Sequence, residues 1–199
     1  MEGYNIRLLE KKDCKKAAKL RLIAQKQGFL PAMGLRFQIE ILKGVCESKW
    51  GFGIVCIAKD DEILGMLYAT TKLSSFYKSI LFSRGPMLVL WGILRILQKP
   101  KLFYGVLQYL VYPRKSLFKE IEAEWLTLVV DTSHRNQGIA KALTLSLIEE
   151  YRKCGVNKFK STVPHGNIVS CSLHDRLGFK FIGTFFLCGE LINIYEYEL

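Results

Sequence analysis

The sequence predicts a single α/β domain in which a mixed, mostly antiparallel sheet is flanked by helices and interrupted by an inserted αα-hairpin. The chain has 199 residues, half of them hydrophobic, which is enough to bury one full core without a disulfide or metal. The apolar periodicity changes between strand and helix spacing in the order β-α-α-β-β-(αα)-β-α-β-α-β-β. We therefore assign residues 1–199 to one domain, with residues 72–118 as the insertion.

The first third of the chain supplies a strand, two helices and a hairpin. Asp13 is placed to cap the first helix and Gly28 to end it. Two apolar runs around the acidic turn at residues 59–62 predict antiparallel pairing. The predicted elements are a strand at 4–9, helices from Asp13 to Gln27 and from Gly34 to Cys46, and strands at 53–58 and 63–71.

The inserted segment, residues 72–118, is both basic and apolar. From Ile63 to Lys119 there is no Asp or Glu, whereas nine Lys and Arg residues occur; the net charge of the whole chain is +11. The spacing predicts two helices, at 87–99 and 101–112, with almost the whole circumference apolar. Charge gathered in so apolar a segment argues against a nucleic-acid partner, and we expect another anionic group to meet it.

The remaining elements are more regular. The strand Glu124–Val130 is rich in aromatic and β-branched residues. The helix after it begins at Gly138 and ends before Gly155. The other predicted elements are a strand at 158–163, a short helix at 167–177 and a final hairpin of strands at 179–187 and 191–199.

A candidate phosphate site follows the strand Glu124–Val130. The loop from Asp131 leads directly into a helix, whose first N–H groups have no partner within the helix and can bind an anion. Gly138 and Ala140 keep the loop open, and Arg135 adds a positive charge. The loop lacks both the G-K-[ST] ending of a P-loop and the G-x-G-x-x-G pattern.

Two motifs at the proper separation resemble those of the GCN5-related N-acetyltransferases (GNAT). Arg135-x-x-Gly138-x-Ala140 is similar to that family's R/Q-x-x-G-x-G/A loop. Asn167-x-x-Ser170-x-x-Leu173-His174-x-x-x-Gly178-Phe179 is similar to its N-x-x-A-x-x-L-Y-x-x-x-G-F segment, with Ser in place of Ala and His in place of Tyr. The resemblance covers residues 4–71 and 121–199, so the insertion lies outside it.

The resemblance implies a GNAT-type fold and the transfer of an acyl group from acetyl-CoA, with no metal. It places the pyrophosphate on the loop amides, the pantetheine alongside the strand as an extra strand, and the cofactor arm against an Asn. The implied cofactor-binding residues are Leu128, Val129, Val130, Arg135, Asn136, Gln137, Gly138, Ile139, Ala140, Lys141 and Asn167.

Glu124 is the candidate general base. An alkyl ammonium with a pKa of about 10.4 must lose a proton before it can attack an acyl carbon, so a base is needed near the acceptor. Glu124 stands eleven residues before Arg135, the offset at which GNAT histone acetyltransferases carry their catalytic Glu. The alternative is a solvated carboxylate at the start of a strand, with Glu120 and Glu122 as neighbours that can serve instead.

His174 occupies the position of the GNAT Tyr that returns a proton to the CoA thiolate. About a quarter of unperturbed imidazole is protonated at pH 7, so the side chain can do this work. The alternatives are a half-buried His with no proton to move, or a role for His165 near the acceptor. Because Cys171 lacks a His/Asn arrangement, we predict direct transfer in a ternary complex, with a backbone N–H near Val129 or Val130 stabilising the oxyanion.

The sequence leaves three functions open. The first is N-acetylation of a small, anionic acceptor, such as a nucleotide-linked amino sugar, enclosed by the insertion and by residues 28–34. The second is acetylation of a protein or peptide, which usually needs a more open groove. The third is a non-catalytic module that binds CoA, or an anionic membrane surface through residues 80–112.

The sequence also predicts a cytoplasmic location, with peripheral membrane attachment as an addition to it. Residues 1–14 contain no apolar signal segment, and the six Cys have no metal-ligand spacing, which favours free thiols in a reducing compartment. The most apolar stretch, residues 86–97, has 12 residues and contains Arg95. A helix that crosses a membrane needs about 20 residues, so we expect this one not to cross.

Overall fold

The computed structural model describes residues 3–25, 28–115, 118 and 120–199, except the side chains of residues 109, 110 and 112–115. Within these ranges, seven strands form one sheet in the order β1-β2-β3-β4-β5-β7-β6, and only β4 and β5 pair in parallel. The strands are β1 Tyr4–Leu8, β2 Gly51–Ala58, β3 Ile63–Thr70, β4 Glu124–Val130, β5 Lys158–Pro164, β6 Lys180–Leu187 and β7 Glu190–Glu198. This arrangement confirms the predicted mixed, mostly antiparallel sheet.

Helices cover both faces of the sheet. They are α1 Cys14–Ala24, α2 Phe29–Ala32, α3 Leu35–Glu47, α4 Leu73–Gln98, α5 Leu102–Lys115, α6 Ile139–Lys153 and α7 Ile168–Arg176. Alternate residues of β3 belong to two different core clusters: Met66 packs with the α1 and α3 side chains, whereas Leu67 packs with those of α6. The eight residues of β3 are all buried, so this strand is the centre of the domain.

The first helix differs from its prediction at both ends. The Asp13 carboxylate does not cap α1; it accepts two hydrogen bonds from the Arg7 guanidinium, at 2.7 and 2.9 Å, and one from the Glu10 N–H at 2.9 Å. A two-pronged ion pair is a stronger competitor for the carboxylate than a cap. The helix ends at Ala24, while Gly28, with a φ of 103°, precedes α2; residues 26 and 27 lie outside the described part.

The insertion forms the predicted αα-hairpin, but α4 has 26 residues and continues through Pro86. The proline removes one helical hydrogen bond, to the carbonyl of the exposed Phe82. The helix is supported by α3: a Cβ at Gly44 would lie 3.0 Å from Ile80. Arg84 Nε donates to Glu47 at 2.8 Å, and hydrogen bonds from Arg84 and then Lys11 lower the pKa of Glu47 to about 2. Carboxylates of α3 therefore provide part of the negative charge that we expected to meet the insertion.

The length of α4 corrects the expectation drawn from the 12-residue stretch. By length and composition alone, Leu73–Gln98 is long and apolar enough to cross a membrane. However, polar contacts attach it to the domain along its length. Besides the ion pair at Arg84, Arg95 Nε donates to the Ala32 carbonyl at 2.8 Å. These contacts favour a helix that lies along the domain.

Candidate active site

The site begins where β4 and β5 separate. The two strands pair only at Glu124 with Lys160 and at Trp125 with Ser161, whereas β4 stays paired with β3 as far as Val130. In the part of the chain that the structure describes, no strand lies against the β5-facing edge of β4 beyond Trp125. The backbone N–H and C=O groups of that edge are strong hydrogen-bonding groups, so the gap can accept an extended ligand.

A cavity of about 790 Å³ lies at this separation. Its lining includes residues from β4, β5 and α7, together with residues from α4, α5 and 28–33. The segments that we expected to enclose the acceptor therefore both lie on the cavity. Most of the lining is apolar, including Phe29, Phe76, Ile80, Leu88, Ile96 and Leu126.

Glu124 lies on this cavity and is 1 % exposed, so it is not a solvated carboxylate. The Thr162 hydroxyl lies 3.5 Å from its Oε1 and donates to it. Lys160 on β5 stands opposite Glu124 in the strand pairing. The Lys160 Nζ donates a hydrogen bond to the Phe118 carbonyl at 3.2 Å. Burial lowers the pKa of Lys160, while the charge of Glu124 raises it.

The neighbouring carboxylates are placed differently. Glu120 and Glu122 are exposed, and Glu122 forms an ion pair with Lys72 Nζ at 3.1 Å. Neither residue borders the cavity, whereas Glu124 does.

His174 also borders the cavity and is 3 % exposed. Its Nδ1 lies 2.8 Å from the Ser170 carbonyl, which can only accept, so Nδ1 carries the proton. Nε2 then accepts from the Ser161 hydroxyl at 2.9 Å. The ring stacks on Trp125 with centroids 4.9 Å apart. Burial lowers the pKa of His174, so the site holds a neutral imidazole at neutral pH.

The burial of His174 predicts a pH effect on stability. Its folded pKa lies below the ordinary 6.5, so as the pH falls below 6.5 the unfolded chain takes up a proton that the folded chain does not. The free energy of unfolding should fall by up to about 1.4 kcal/mol per pH unit from this residue. Urea unfolding between pH 7.5 and 5 measures this slope.

The pH prediction has a matched control in the chain. The exposed His165 makes a 3.0 Å contact with Asn193 and does not border the cavity. His165→Gln should therefore keep the wild-type slope, whereas His174→Gln should lose the contribution from residue 174. An equal slope in both variants would contradict the assignment.

The predicted phosphate loop lies outside the cavity, beyond the carboxyl end of β4. Asn136 and Gly138 have φ values of 62° and 80°, and residues 135–138 are exposed. Successive N–H groups in this conformation form a concave anion site. The Arg135 Nη2 donates to the Ala24 carbonyl at 3.2 Å, which fixes the loop against the end of α1.

The rest of the predicted cofactor set divides between the loop and the cavity. In the loop, Ile139 is buried and anchors α6, whereas Lys141 is exposed. On the cavity, Leu128 and Asn167 join Glu124 and His174. The Asn167 side chain accepts from the Ser170 N–H at 3.1 Å and so caps α7. Val129 and Val130 continue β4 beyond the cavity, toward the loop.

Several polar residues on the cavity were missed from the sequence, namely Arg21, Tyr68, Ser161 and Thr162. The two hydroxyl residues of β5 have no motif, and only their contacts with Glu124 and His174 single them out. The burial of Arg21 could have been predicted, because it follows Ala17 by four residues and therefore lies on the same buried face of α1. Among the described residues there is no cluster of His, Cys, Asp or Glu able to hold a metal.

Comparison with known proteins identifies the family. Residues 34–179 match the model of the acetyltransferase (GNAT) family. That match covers more than half of the chain, which therefore belongs to the GNAT family of acetyltransferases; the resemblance seen in its two motifs is confirmed. Among curated proteins there is no match.

Solved structures share the fold at low identity. The PaiA N-acetyltransferase of Thermoplasma acidophilum, in complex with coenzyme A, has a TM-score of 0.61 at 14% identity, with 98% of this chain and 99% of that chain covered. Arabidopsis thaliana NAA60 in complex with a bisubstrate analogue has a TM-score of 0.64 at 14% identity, with 98% of this chain and 97% of that chain covered. The ribosomal-protein-S18-alanine N-acetyltransferase of Escherichia coli has a TM-score of 0.60 at 14% identity, with 98% of this chain and 93% of that chain covered.

Proposed function

We propose that this acetyltransferase moves the acetyl group of acetyl-CoA to the amine of a small acceptor held in the cavity. The observation that carries the proposal is the separation of β4 from β5, with a cavity at one end and the positive-φ loop beyond the other. A CoA molecule needs an edge for its pantetheine amides and an anion site for its pyrophosphate, and the described residues supply both. Coenzyme A in the Thermoplasma structure supports this fit.

The residues of this chain would divide the binding as follows. The N–H groups from Asn136 to Lys141, together with Arg135, bind the pyrophosphate. The β4 edge at Leu128–Val130 pairs with the pantetheine. Asn167 has its Oδ1 engaged in capping α7, so its amide nitrogen is the group left for the cofactor arm. Bound there, acetyl-CoA supplies an activated thioester.

Proton transfer is assigned to Glu124. Its carboxylate borders the cavity and accepts the proton that the acceptor ammonium loses, directly or through water. A backbone N–H of Val129 or Val130 stabilises the negative charge that develops on the acyl oxygen. The amine then attacks directly, because Cys171 does not border the cavity and its Sγ accepts from Asn193 Nδ2 at 3.6 Å.

His174 remains our proposal for the group that returns a proton to the leaving thiolate. Since its Nε2 accepts from Ser161, that nitrogen must first take up a proton. That proton is the second one that the acceptor nitrogen loses as the amide forms, the first having gone to Glu124. It reaches Nε2 through the Ser161 hydroxyl, which passes on its own proton and takes up the new one, or directly once that hydroxyl turns aside. The Ser161 side chain belongs to the same proton path, since it also borders the cavity.

A small acceptor fits better than a polypeptide because α4, α5 and residues 28–33 form walls of the cavity. The lining is mainly apolar and therefore favours an acceptor with an apolar body. The nucleotide-linked amino sugar suggested by the basic insertion fits such a cavity less well than a smaller amphipathic amine. Peptide acetylation is the second candidate, supported by the fold shared with the ribosomal-protein-S18-alanine N-acetyltransferase.

The test of the proposed function is binding followed by turnover. Acetyl-CoA at 100 times its Kd should stabilise the protein by about 2.7 kcal/mol, seen as a rise in Tm. Incubation with a panel of small amines and of peptides should then release CoA thiol with at least one acceptor. Absence of stabilisation by acetyl-CoA would contradict the proposal at its first step.

We also propose a cytoplasmic location with a peripheral contact between the insertion and an anionic membrane. Large apolar side chains are exposed along α4 and α5, with Phe82 at 93% and Leu97 at 74%. Among the described residues, Lys78, Lys99 and Lys101 have no ion-pair partner and can meet anionic headgroups. A lipid surface covers both kinds of group at once, which a small soluble anion does not.

Vesicle sedimentation tests the membrane contact. The protein should bind phosphatidylserine-containing vesicles in a salt-sensitive way, and Phe82→Glu with Leu97→Glu should weaken binding at least tenfold. The matched control is Phe186→Glu with Leu145→Glu, which changes exposed apolar residues on β6 and α6. Binding to neutral phosphatidylcholine vesicles alone, or equal loss in both double variants, would contradict the contact.

A further inference from the structure

Arg21 is a buried cation on the cavity. The residue is 3% exposed and borders the same space as Glu124. No carboxylate of the described residues forms an ion pair with it, whereas Arg7 and Arg84 both have such partners. A guanidinium removed from water without an anion costs several kcal/mol, so something else is expected to balance this charge.

The contacts of Arg21 occupy only one edge of its guanidinium. Nη1 donates to Gln38 Oε1 and to the Tyr68 hydroxyl, both at 2.9 Å. Gln38 is itself held by a hydrogen bond from Nε2 to the Leu30 carbonyl. The guanidinium carbon also lies 5.5 Å from the centroid of the Tyr68 ring. Every one of these partners is neutral, so they position the guanidinium without compensating its charge.

The other edge of the guanidinium has no hydrogen-bond partner among the residues that the structure describes. Nε is buried and has no hydrogen-bond partner, and Nη2 forms none with the described residues. Nε and Nη2 together present two parallel N–H groups, the arrangement that binds a carboxylate through both of its oxygens. A planar, two-point site of this kind favours a carboxylate over a single-point anion.

The position of Arg21 relates it to the reaction. Its partner Tyr68 stands opposite Thr127 on β4, between Glu124 and the edge at Leu128–Val130 that we assign to the pantetheine. A ligand group on Arg21 would therefore lie beside the acceptor amine. Around it the cavity wall is formed by apolar side chains of α2, α3 and α4, including Phe29, Phe37 and Ile80.

We propose that Arg21 binds a carboxylate of the acceptor, which is then a small amino acid with an apolar side chain. The inference rests on the proposed acetyl transfer and adds the class of acceptor to it. Within the described part of the chain, the other charged groups on the cavity are Lys101, Glu124 and Glu190. Arg21 is buried, whereas Lys101 is exposed.

Matched acceptors test the proposal directly. We would measure acetyl-CoA-dependent thiol release with phenylalanine and leucine, with their amides, and with the aminophosphonate analogue of phenylalanine. Loss of one partner from a buried charged pair costs about 2–5 kcal/mol, so kcat/KM should favour each amino acid over its amide by roughly 30-fold or more. A preference for the phosphonate would overturn the assignment to a carboxylate.

Variants of Arg21 complete the test. Arg21→Met should bring the ratio of kcat/KM between each amino acid and its amide close to the ratio set by the reactivity of the two free amines alone. Stabilisation by acetyl-CoA should be unchanged. Arg21→Lys keeps the charge but not the two-point edge, and should lose at least tenfold on the amino acids alone. The control is Arg36→Met: Arg36 also lies 5.5 Å from an aromatic ring, that of Trp91, but is exposed and away from the cavity.

The outcomes separate this inference from the proposed function. If acetyl-CoA does not stabilise the wild-type protein, the proposed function fails. If acetyl-CoA binds and other amines are acetylated, but the amino acids show no advantage over their amides, only the role of Arg21 fails. An advantage that survives in both Arg21 variants would also overturn it.

Discussion

Replacing Gly138 with valine is expected to abolish the stabilisation by acetyl-CoA. Gly138 has a φ of 80°, a conformation that a β-branched residue adopts only with strain. Relief of that strain would turn the N–H groups of the loop away from the pyrophosphate. The expected result is a loss of at least 100-fold in acetyl-CoA affinity, measured by calorimetry and by the shift in Tm.

The same helix supplies the control for this prediction. Gly155 follows the other end of α6 with a φ of 70°, and a Cβ at either glycine meets no atom within 4 Å. Gly155→Val should therefore carry a similar strain of about 1–3 kcal/mol while leaving acetyl-CoA affinity unchanged. If both variants lost affinity equally, the effect would belong to the stability of α6 rather than to the phosphate loop.

Glu124→Gln is expected to slow turnover by roughly 10²- to 10⁴-fold, the range attributed to a general base. Affinity for acetyl-CoA should stay the same, because the carboxylate lies on the acceptor side of the site. Steady-state kinetics at saturating acetyl-CoA measure the loss. Glu122→Gln is the control, since Glu122 is exposed and paired with Lys72, and it should leave the rate unchanged.

The buried neighbour of Glu124 offers a sharper test. Glu124 also raises the pKa of Lys160 by its charge, so Glu124→Gln disturbs a buried cation as well as removing a base. If charge balance were the whole role of Glu124, combining Glu124→Gln with Lys160→Met would restore turnover. A general base predicts that the double variant stays slow, with a Tm higher than that of the Gln variant alone.

The loop before α6 and the cavity differ in how much of each could be predicted from the sequence. The conformation of the proposed phosphate loop was predictable because a strand, a positive-φ glycine and a helix start are consecutive in the chain. Glu124 was found through its offset from Arg135, yet its burial was not, because that depends on Lys160 and Thr162 from another strand. For His174 the Ser170 carbonyl, four residues earlier on the same helix, decides that Nδ1 carries the proton, but no pattern in the sequence pairs Nε2 with the Ser161 hydroxyl.

The insertion shows the same division. Its acid-free, apolar sequence predicted an αα-hairpin, and the structure has one. The full length of α4 was missed, since Pro86 and the mixed polarity of residues 73–86 break the helical signal. Packing against α3 at Gly44, with the ion pair from Arg84 to Glu47, extends the helix through that stretch.

By itself the sequence determined the family, the order of elements and the position of the loop before α6, because periodicity, caps and glycine conformations act between residues close in the chain. Only the tertiary structure decided what the cavity can bind. Arg21 contacts Tyr68 across 47 residues in the sequence, and only the folded arrangement shows that no carboxylate of the described residues pairs with it. The cost of an uncompensated buried charge depends on that complete surrounding, which is why the acceptor had to be inferred from the folded protein.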